Sequence, residues 1–314
     1  MLSEVKLVTL GVSDLDQACA FYARAMGYQV EESGPVPATL APLWRFDPAL
    51  GGRYAVVAAD GSGLGRIRLV QFDAPGQRLW SEQIRYNGTG YYALNFRCRD
   101  AIATMEAITG AGGSASHEPS YWEVNEQVAV RDSMNEDPDG ICLDVFSYDR
   151  GGELRGPLDT EVSVLQTVAI ATRDVPRSAA FYRGLGFEVL FDRVLDFPGL
   201  QALLGADQPV RIHNINLMKD GNIVPGRVEM FGYLDMEHLP DAPLRDQAVP
   251  PNLGILSASL ASSDLDADCE RLCELGAEPV ARASVSLPGF GPCQVATLFG
   301  PDGELLELFC RSGS

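Results

Sequence analysis

The chain has little histidine, a shortage of positive charge and no long apolar run. Its 314 residues include three histidines, His117, His213 and His238, so chemistry built on imidazole has few candidates. Lysine and arginine total 24 against 43 aspartates and glutamates, a net charge of −19. A phosphate backbone or an anionic membrane needs a positive footprint, so neither nucleic acid nor membrane is an expected partner. The acid surplus is read as a contribution to solubility. No apolar stretch reaches the roughly 18 residues of a membrane span. The start, MLSEVKLV, enters a strand without the charged-then-apolar order of a secretory leader. Seven cysteines, an odd number, are then expected as reduced thiols in the cytoplasm. Cys269 and Cys273, four apart on an expected helix, lack a second ligand pair and read as small buried hydrophobes or bystanders.

What the chain does have is a repeat. Val5–Tyr28 and Ser163–Phe187 each carry an apolar strand, an Asp-led turn, and a short amphipathic helix with a Phe-Tyr pair that stops at glycine. Asp14 and Asp174 lie 160 positions apart, as do Phe21 and Phe181. Asp14, Asp100, Asp174 and Asp264 are expected helix N-caps. Each half reads as two units of strand, helix and three strands. The first half has helices at 16–26 and 100–108 and closes on the turn Asp137-Pro138-Asp139-Gly140. The second has helices at 176–184 and 265–275, a short helix at 198–204, and the turn Gly300-Pro301-Asp302-Gly303. Residues 34–48 read as irregular. The expected architecture is α+β, with four βαβββ modules forming two tandem cupped mixed sheets and helices outside. The expected domains are 1–149 and 161–314, joined by a linker at 150–160.

The order Asp-Leu or Asp-Val, then Phe-Tyr, then Gly-Tyr or Gly-Phe, with a closing Asp-Gly turn followed four residues later by an acid, resembles the vicinal oxygen chelate superfamily. That family includes glyoxalase I, bleomycin resistance proteins and extradiol dioxygenases. The Phe-Tyr pairs read as packing between helix and sheet, so the fingerprint specifies a fold and leaves function to the cup. The resemblance implies a metal in the cup. Its ligands would be a His or Gln seven residues before each capping Asp, and a Glu on the last strand. Those positions here are Leu7, Ala93, Thr167 and Ser257, none of them histidine. The closing acids are Asp144 and Glu307, and a mid-domain acid maps to Glu229. A Fe(II) dioxygenase needs two imidazoles and a carboxylate, so its chemistry is not expected. No cofactor is expected, with a divalent metal at a relocated site left open.

Alternation along the strands groups Thr167, Ala169, Ser257, Ser259, Glu229 and Glu307 in a second-half cup, and Leu7, Thr9, Ala93, Asn95 and Asp144 in a first-half cup. A hairpin centred near Gly221 would set His213 opposite Glu229. The leading reading is an enzyme that acts on a small oxygenated organic molecule, of lyase, isomerase or ring-modifying type, by acid–base chemistry. Its catalytic groups would be Glu307, Glu229 and His213, with Thr167, Ser257, Ser259 and Asp144 binding substrate. Two others stay open: a metal-free binding protein of the bleomycin-resistance type, and a dioxygenase-like enzyme with a relocated metal. The expected partner is a small molecule, and self-association into a homodimer is left open.

Overall fold

The computed structural model describes residues 2–59, 61, 63–152, 158–221, 225–236 and 238–311. Residues 153–157 of the expected linker, residues 60 and 62 of the first hairpin turn, and residues 222–224 of the expected turn at 219–225 lie outside this description. The four modules are present. The first comprises β1 (Leu2–Gly11), α1 (Leu15–Met26), β2 (Gln29–Pro35), α2 (Ala41–Trp44), β3 (Gly52–Ala58) and β4 (Arg66–Phe72). The second comprises β5 (Gly88–Arg97), α3 (Ala101–Gly110), β6 (Ser114–Ala115), β7 (Ser120–Asn125), β8 (Val128–Glu136) and β9 (Cys142–Arg150). The third comprises β10 (Thr167–Ala171), α4 (Val175–Gly184), β11 (Phe187–Leu195), α5 (Leu200–Leu203), β12 (Ile212–Lys219) and β13 (Arg227–Tyr233). After the short β14 (Ala242–Pro243), the fourth comprises β15 (Gly254–Ser262), α6 (Leu265–Glu274), β16 (Glu278–Leu287), β17 (Gly291–Phe299) and β18 (Leu305–Arg311).

The four aspartates cap as their positions predict. Asp14, Asp174 and Asp264 accept from the amides of Gln17, Arg177 and Ala267, and Asp100 from Ile102 and Ala103. Each satisfies a donor that the first helical turn leaves without a partner. The stretch 34–48 departs from its irregular reading, because Pro42 sits at the tolerant start of α2 and the turn buries Leu43 and Trp44.

Sheet formation crosses the midpoint of the chain. The first sheet runs β16-β17-β18-β15-β1-β4-β3-β2, so it joins the first and fourth modules. The second runs β11-β12-β13-β10-β5-β9-β8-β6, with β7 on β8 and β14 on β5, and so joins the third and second. The seams are antiparallel: β1 meets β15 with Val8 opposite Ala258, and β10 meets β5 with Thr167 opposite Asn95. The expected grouping of cup residues by half of the chain is therefore corrected. Ser257, Ser259 and Glu307 share a cup with Leu7 and Thr9, while Thr167, Ala169 and Glu229 share one with Ala93, Asn95 and Asp144. The motifs of strand and helix recur in each half, but they do not encode which edge finds which partner.

A second set of contacts binds each half to itself. Tyr22 Oη donates to Asp137 Oδ2 at 3.2 Å, and Tyr182 Oη to Glu304 Oε1 at 2.8 Å. Thr172 Oγ1 and Ser178 Oγ both donate to Asp302, each at 2.6 Å. The closing turns thereby dock on the helix of the preceding module. Gly140 and Gly303 hold φ of +79° and +82° there, a region that L side chains rarely enter. The helix-side faces of both sheets bury one continuous core, with Val8, Leu10, Phe21, Phe96, Ile170 and Met230 among its members. Among the described residues, no helix is long and apolar enough to cross a membrane.

Candidate active site

The two cups differ in one equivalent pair of positions. Register places Arg68 beside Thr9 and Glu307 beside Ser259 in the first sheet. It places Asp144 beside Asn95 and Glu229 beside Ala169 in the second. In the first sheet, therefore, a cation faces an acid, and the two pair. Arg68 Nη1 and Nη2 donate to Glu307 Oε1 at 3.1 and 3.2 Å, with both side chains fully buried. Ser259 Oγ and Trp44 Nε1 complete the carboxylate at 2.6 and 2.7 Å, while Thr9 Oγ1 and the Pro288 carbonyl accept from Arg68. A buried ion pair persists only when its remaining hydrogen-bonding capacity is met, as it is here. Leu43, Trp44, Phe46, Phe72, Phe290 and Phe309 pack over the pair and fill this cup.

The second sheet holds two acids at the same positions, and there a cavity of about 390 Å³ remains. Its walls are largely apolar and aromatic, and include Phe146, Phe231 and the side of α5. Trp122 on β7 stacks on Phe197 at 5.1 Å with planes 12° apart, and its Nε1 donates to Asp132 Oδ2 at 3.2 Å. The floor is polar. Glu229 Oε1 accepts from Asn214 Nδ2 at 2.6 Å, and Oε2 from Asn95 and Asn216 at 2.8 and 3.2 Å. Beside it Asp132 and Asp144 lie on adjacent strands with their carboxyl groups in contact.

Burial sets the protonation of this floor. The Asp144 carboxyl is pushed well above the usual range by loss of solvent first, then by the charge of Asp132, its contact with Asp132, and the charge of Glu229. Asp132 is also raised by burial, against the hydrogen bonds from Asp144 and Trp122 that favour its anion. Of the two carboxyl groups in contact, Asp144 is the more strongly raised. Glu229 is raised by burial too, with the Asn214 amide and the Arg227 charge working the other way.

Three sequence-predicted site residues, Thr167, Asp144 and Glu229, meet in this cavity. Four others do not join them. Glu307 and Ser259 form the buried pair of the first cup, and Ser257 Oγ donates to Thr9 Oγ1 at 3.0 Å beside it. His213 does not face Glu229 either: Asn216 stands opposite Glu229, and His213 stands opposite Gly232. The hairpin is offset by three residues from the expected register, and an odd offset turns every side chain to the other face. His213 Nε2 lies 2.8 Å from Asp192 Oδ1. Sequence reasoning missed Asp132, Trp122, Asn214 and Asn216 as site residues. The alternation Ile212, Asn214, Asn216 carried a signal, since amides on the phase of a buried face need partners.

The family resemblance implies a metal, and the residues present do not fit one of the imidazole type. The equivalent positions in the open cup are Ala93, Thr167, Asp144 and Glu229. Ala93 has no donor atom, Glu229 has both oxygens taken by amides, and burial raises the Asp144 carboxyl, which disfavours its ligating anion. Among the described residues, no group of three His, Cys, Asp or Glu side chains is placed to hold a metal ion.

Comparison with known proteins places this fold. Residues 5–145, a little under half of the chain, match the family model described as Glyoxalase/Bleomycin resistance protein/Dioxygenase superfamily. No curated protein sequence matches the chain significantly. Among solved structures, glyoxalase I from Zea mays aligns with a TM-score of 0.65 at 17% identity, over 98% of this chain and 92% of that one. A putative dioxygenase from Bacillus subtilis aligns with a TM-score of 0.57 at 10% identity, over 100% of this chain and 86% of that one. At these identities the likeness is one of fold.

Proposed function

We propose that the cup of the second sheet is the active site of an enzyme that moves protons on a small oxygenated organic molecule, as an isomerase or lyase does. One observation carries this reading: two carboxyl groups in contact, Asp144 and Asp132, on the floor of an apolar-walled cavity, with burial raising both and Asp144 the further. Such a pair offers a general acid and a general base at one place. Asp144 would donate its proton to a carbonyl or leaving oxygen, and Asp132 would take one from carbon or hydroxyl. Trp122 fixes the orientation of Asp132 through its indole N–H. Glu229 serves as a positioning residue, since three asparagine amides hold it as an acceptor. Thr167 Oγ1, buried and without a partner, is the group that would orient substrate.

A second reading is favoured by the same amides. Glu229 is immobilised, and a floor of fixed acceptors also suits a binding protein that holds its ligand unchanged. Incubation in D2O with a panel of small hydroxy and keto compounds separates the two. The enzyme reading expects deuterium at carbon beside a carbonyl, slowed about 10²–10⁴-fold in Asp132→Asn. A compound that binds in the cup and exchanges at the same rate in wild type and variant contradicts it.

A further inference from the structure

The hydrogen bonds around Glu229 set the polarity of everything above it. Glu229 accepts from Asn95, Asn214 and Asn216, each of which turns Nδ2 towards it. A planar amide that turns its nitrogen one way turns its oxygen the other. The Oδ1 atoms of Asn95 and Asn216 are accordingly left without partners, as are Thr167 Oγ1 and the Oδ1 atoms of Asp132 and Asp144. Asn95 and Thr167 are only 4% and 1% exposed, so water does not relieve them from outside. Each of these amides gives an N–H to Glu229, and the oxygens are what the floor leaves unmet. Two arginines reach the lining, and both have partners: Arg193 Nη1 donates to the Val124 carbonyl at 2.8 Å, and Arg227 Nη2 to Gln166 Oε1 at 2.9 Å.

We propose that this cup selects a small organic cation, a protonated amine carried on an apolar body of about the size of an aromatic ring, with the ammonium group on the Asn95, Thr167, Asp132 and Asp144 floor. The inference rests on the reading of this cup as the ligand site and names the class of molecule that enters it. An ammonium group brings three donors and no acceptor, the complement of what the floor lacks. A hydroxyl brings one donor. A carboxylate brings none, and would set oxygen against oxygen beside Asp132 and Glu229. The aromatic walls, Phe146, Tyr148 and Phe231 among them, suit both the apolar body and the nearby positive charge.

Three probes of one shape test this with the full chain: 2-phenylethylamine, 2-phenylethanol and 3-phenylpropanoate, titrated calorimetrically at neutral pH. The amine is expected to bind about tenfold or more tightly than the alcohol, the worth of a charge-assisted hydrogen bond, and the carboxylate weakest of all. Asp132→Asn should weaken the amine by about tenfold and leave the alcohol within a few-fold. The variant keeps the shape of the side chain and removes a buried ionisable group, and the wild-type series stands without it. A carboxylate that binds as tightly as the amine, or an amine without measurable binding at millimolar concentration, overturns the proposal. Amine binding without deuterium exchange in any compound would instead keep this inference and remove the acid–base reading.

Discussion

Arg68 and Glu307 show what one residue decides. At the equivalent place in the other sheet stand Asp144 and Glu229, and the exchange of one cation for an acid separates a filled cup from an open one. Arg68→Met should destabilise the protein by about 3–5 kcal/mol, because Glu307 is then a buried charge without its counter-ion. The double variant Arg68→Met/Glu307→Leu should recover most of that loss, since apolar packing often matches a buried pair. Urea unfolding of the three proteins checks both statements, and a single variant as stable as wild type contradicts them. Asp144, Glu229 and Thr167 were legible in the sequence because family positions fall on them. Asp132 was not: nothing marks it except its phase with Val130 and Met134 on β8. The role of Glu307 was legible in position but not in partner, since an arginine 239 residues away in the chain is what claims it.

At the scale of elements, the closing turns hold protons that solvent would take. Asp137 is raised to about 7, by burial first, and Glu304 to about 8, by burial and then by the charge of Asp302. Both sit under a tyrosine hydroxyl, Tyr22 and Tyr182 respectively. A carboxyl group raised in the folded state binds its proton more tightly folded than unfolded. Its stabilising contribution is complete below the unfolded value and is lost as pH rises through the folded one. The windows run from 3.8 to about 7 for Asp137 and from 4.5 to about 8 for Glu304. Stability should therefore fall between about pH 4 and about pH 8, and Glu304→Gln should flatten that slope. Urea midpoints across the range report it; a midpoint that rises with pH contradicts the assignment. Most elements were readable from period and punctuation, including the short helix at Leu200–Leu203. Two were not. α2 lies in a proline-containing stretch and forms because Trp44 has a cup to fill, and β7 forms as a hairpin partner of β8. α2 is set by contacts distant in sequence and β7 by its hairpin neighbour, rather than either by local propensity.

Across the whole molecule the two kinds of contact run at right angles in the chain. The sheets join module one to four and two to three, while the tyrosine–carboxyl contacts join one to two and three to four. The fourfold repeat was legible, since strand and helix periods recur with their caps; the pairing was not, because β1 and β5 present similar apolar edges and only the assembled chain chooses between them. That choice fixes where charge collects. One cup receives an arginine with an acid and closes. The other receives Asp132, Asp144 and Glu229 and remains a cavity on whose floor all three carboxyl groups are raised by burial. Asp144 is thus the residue on which the division between the cups turns. The direct measurement is the infrared spectrum of the protein at neutral pH, compared with that of Asp144→Asn. A protonated-carboxyl band that is weaker in the variant than in the wild type, over the bands of Asp137 and Glu304 that both proteins keep, is the predicted result. Equal bands in the two proteins would mean that Asp144 is ionised, and would contradict the acid–base pair on which the account rests.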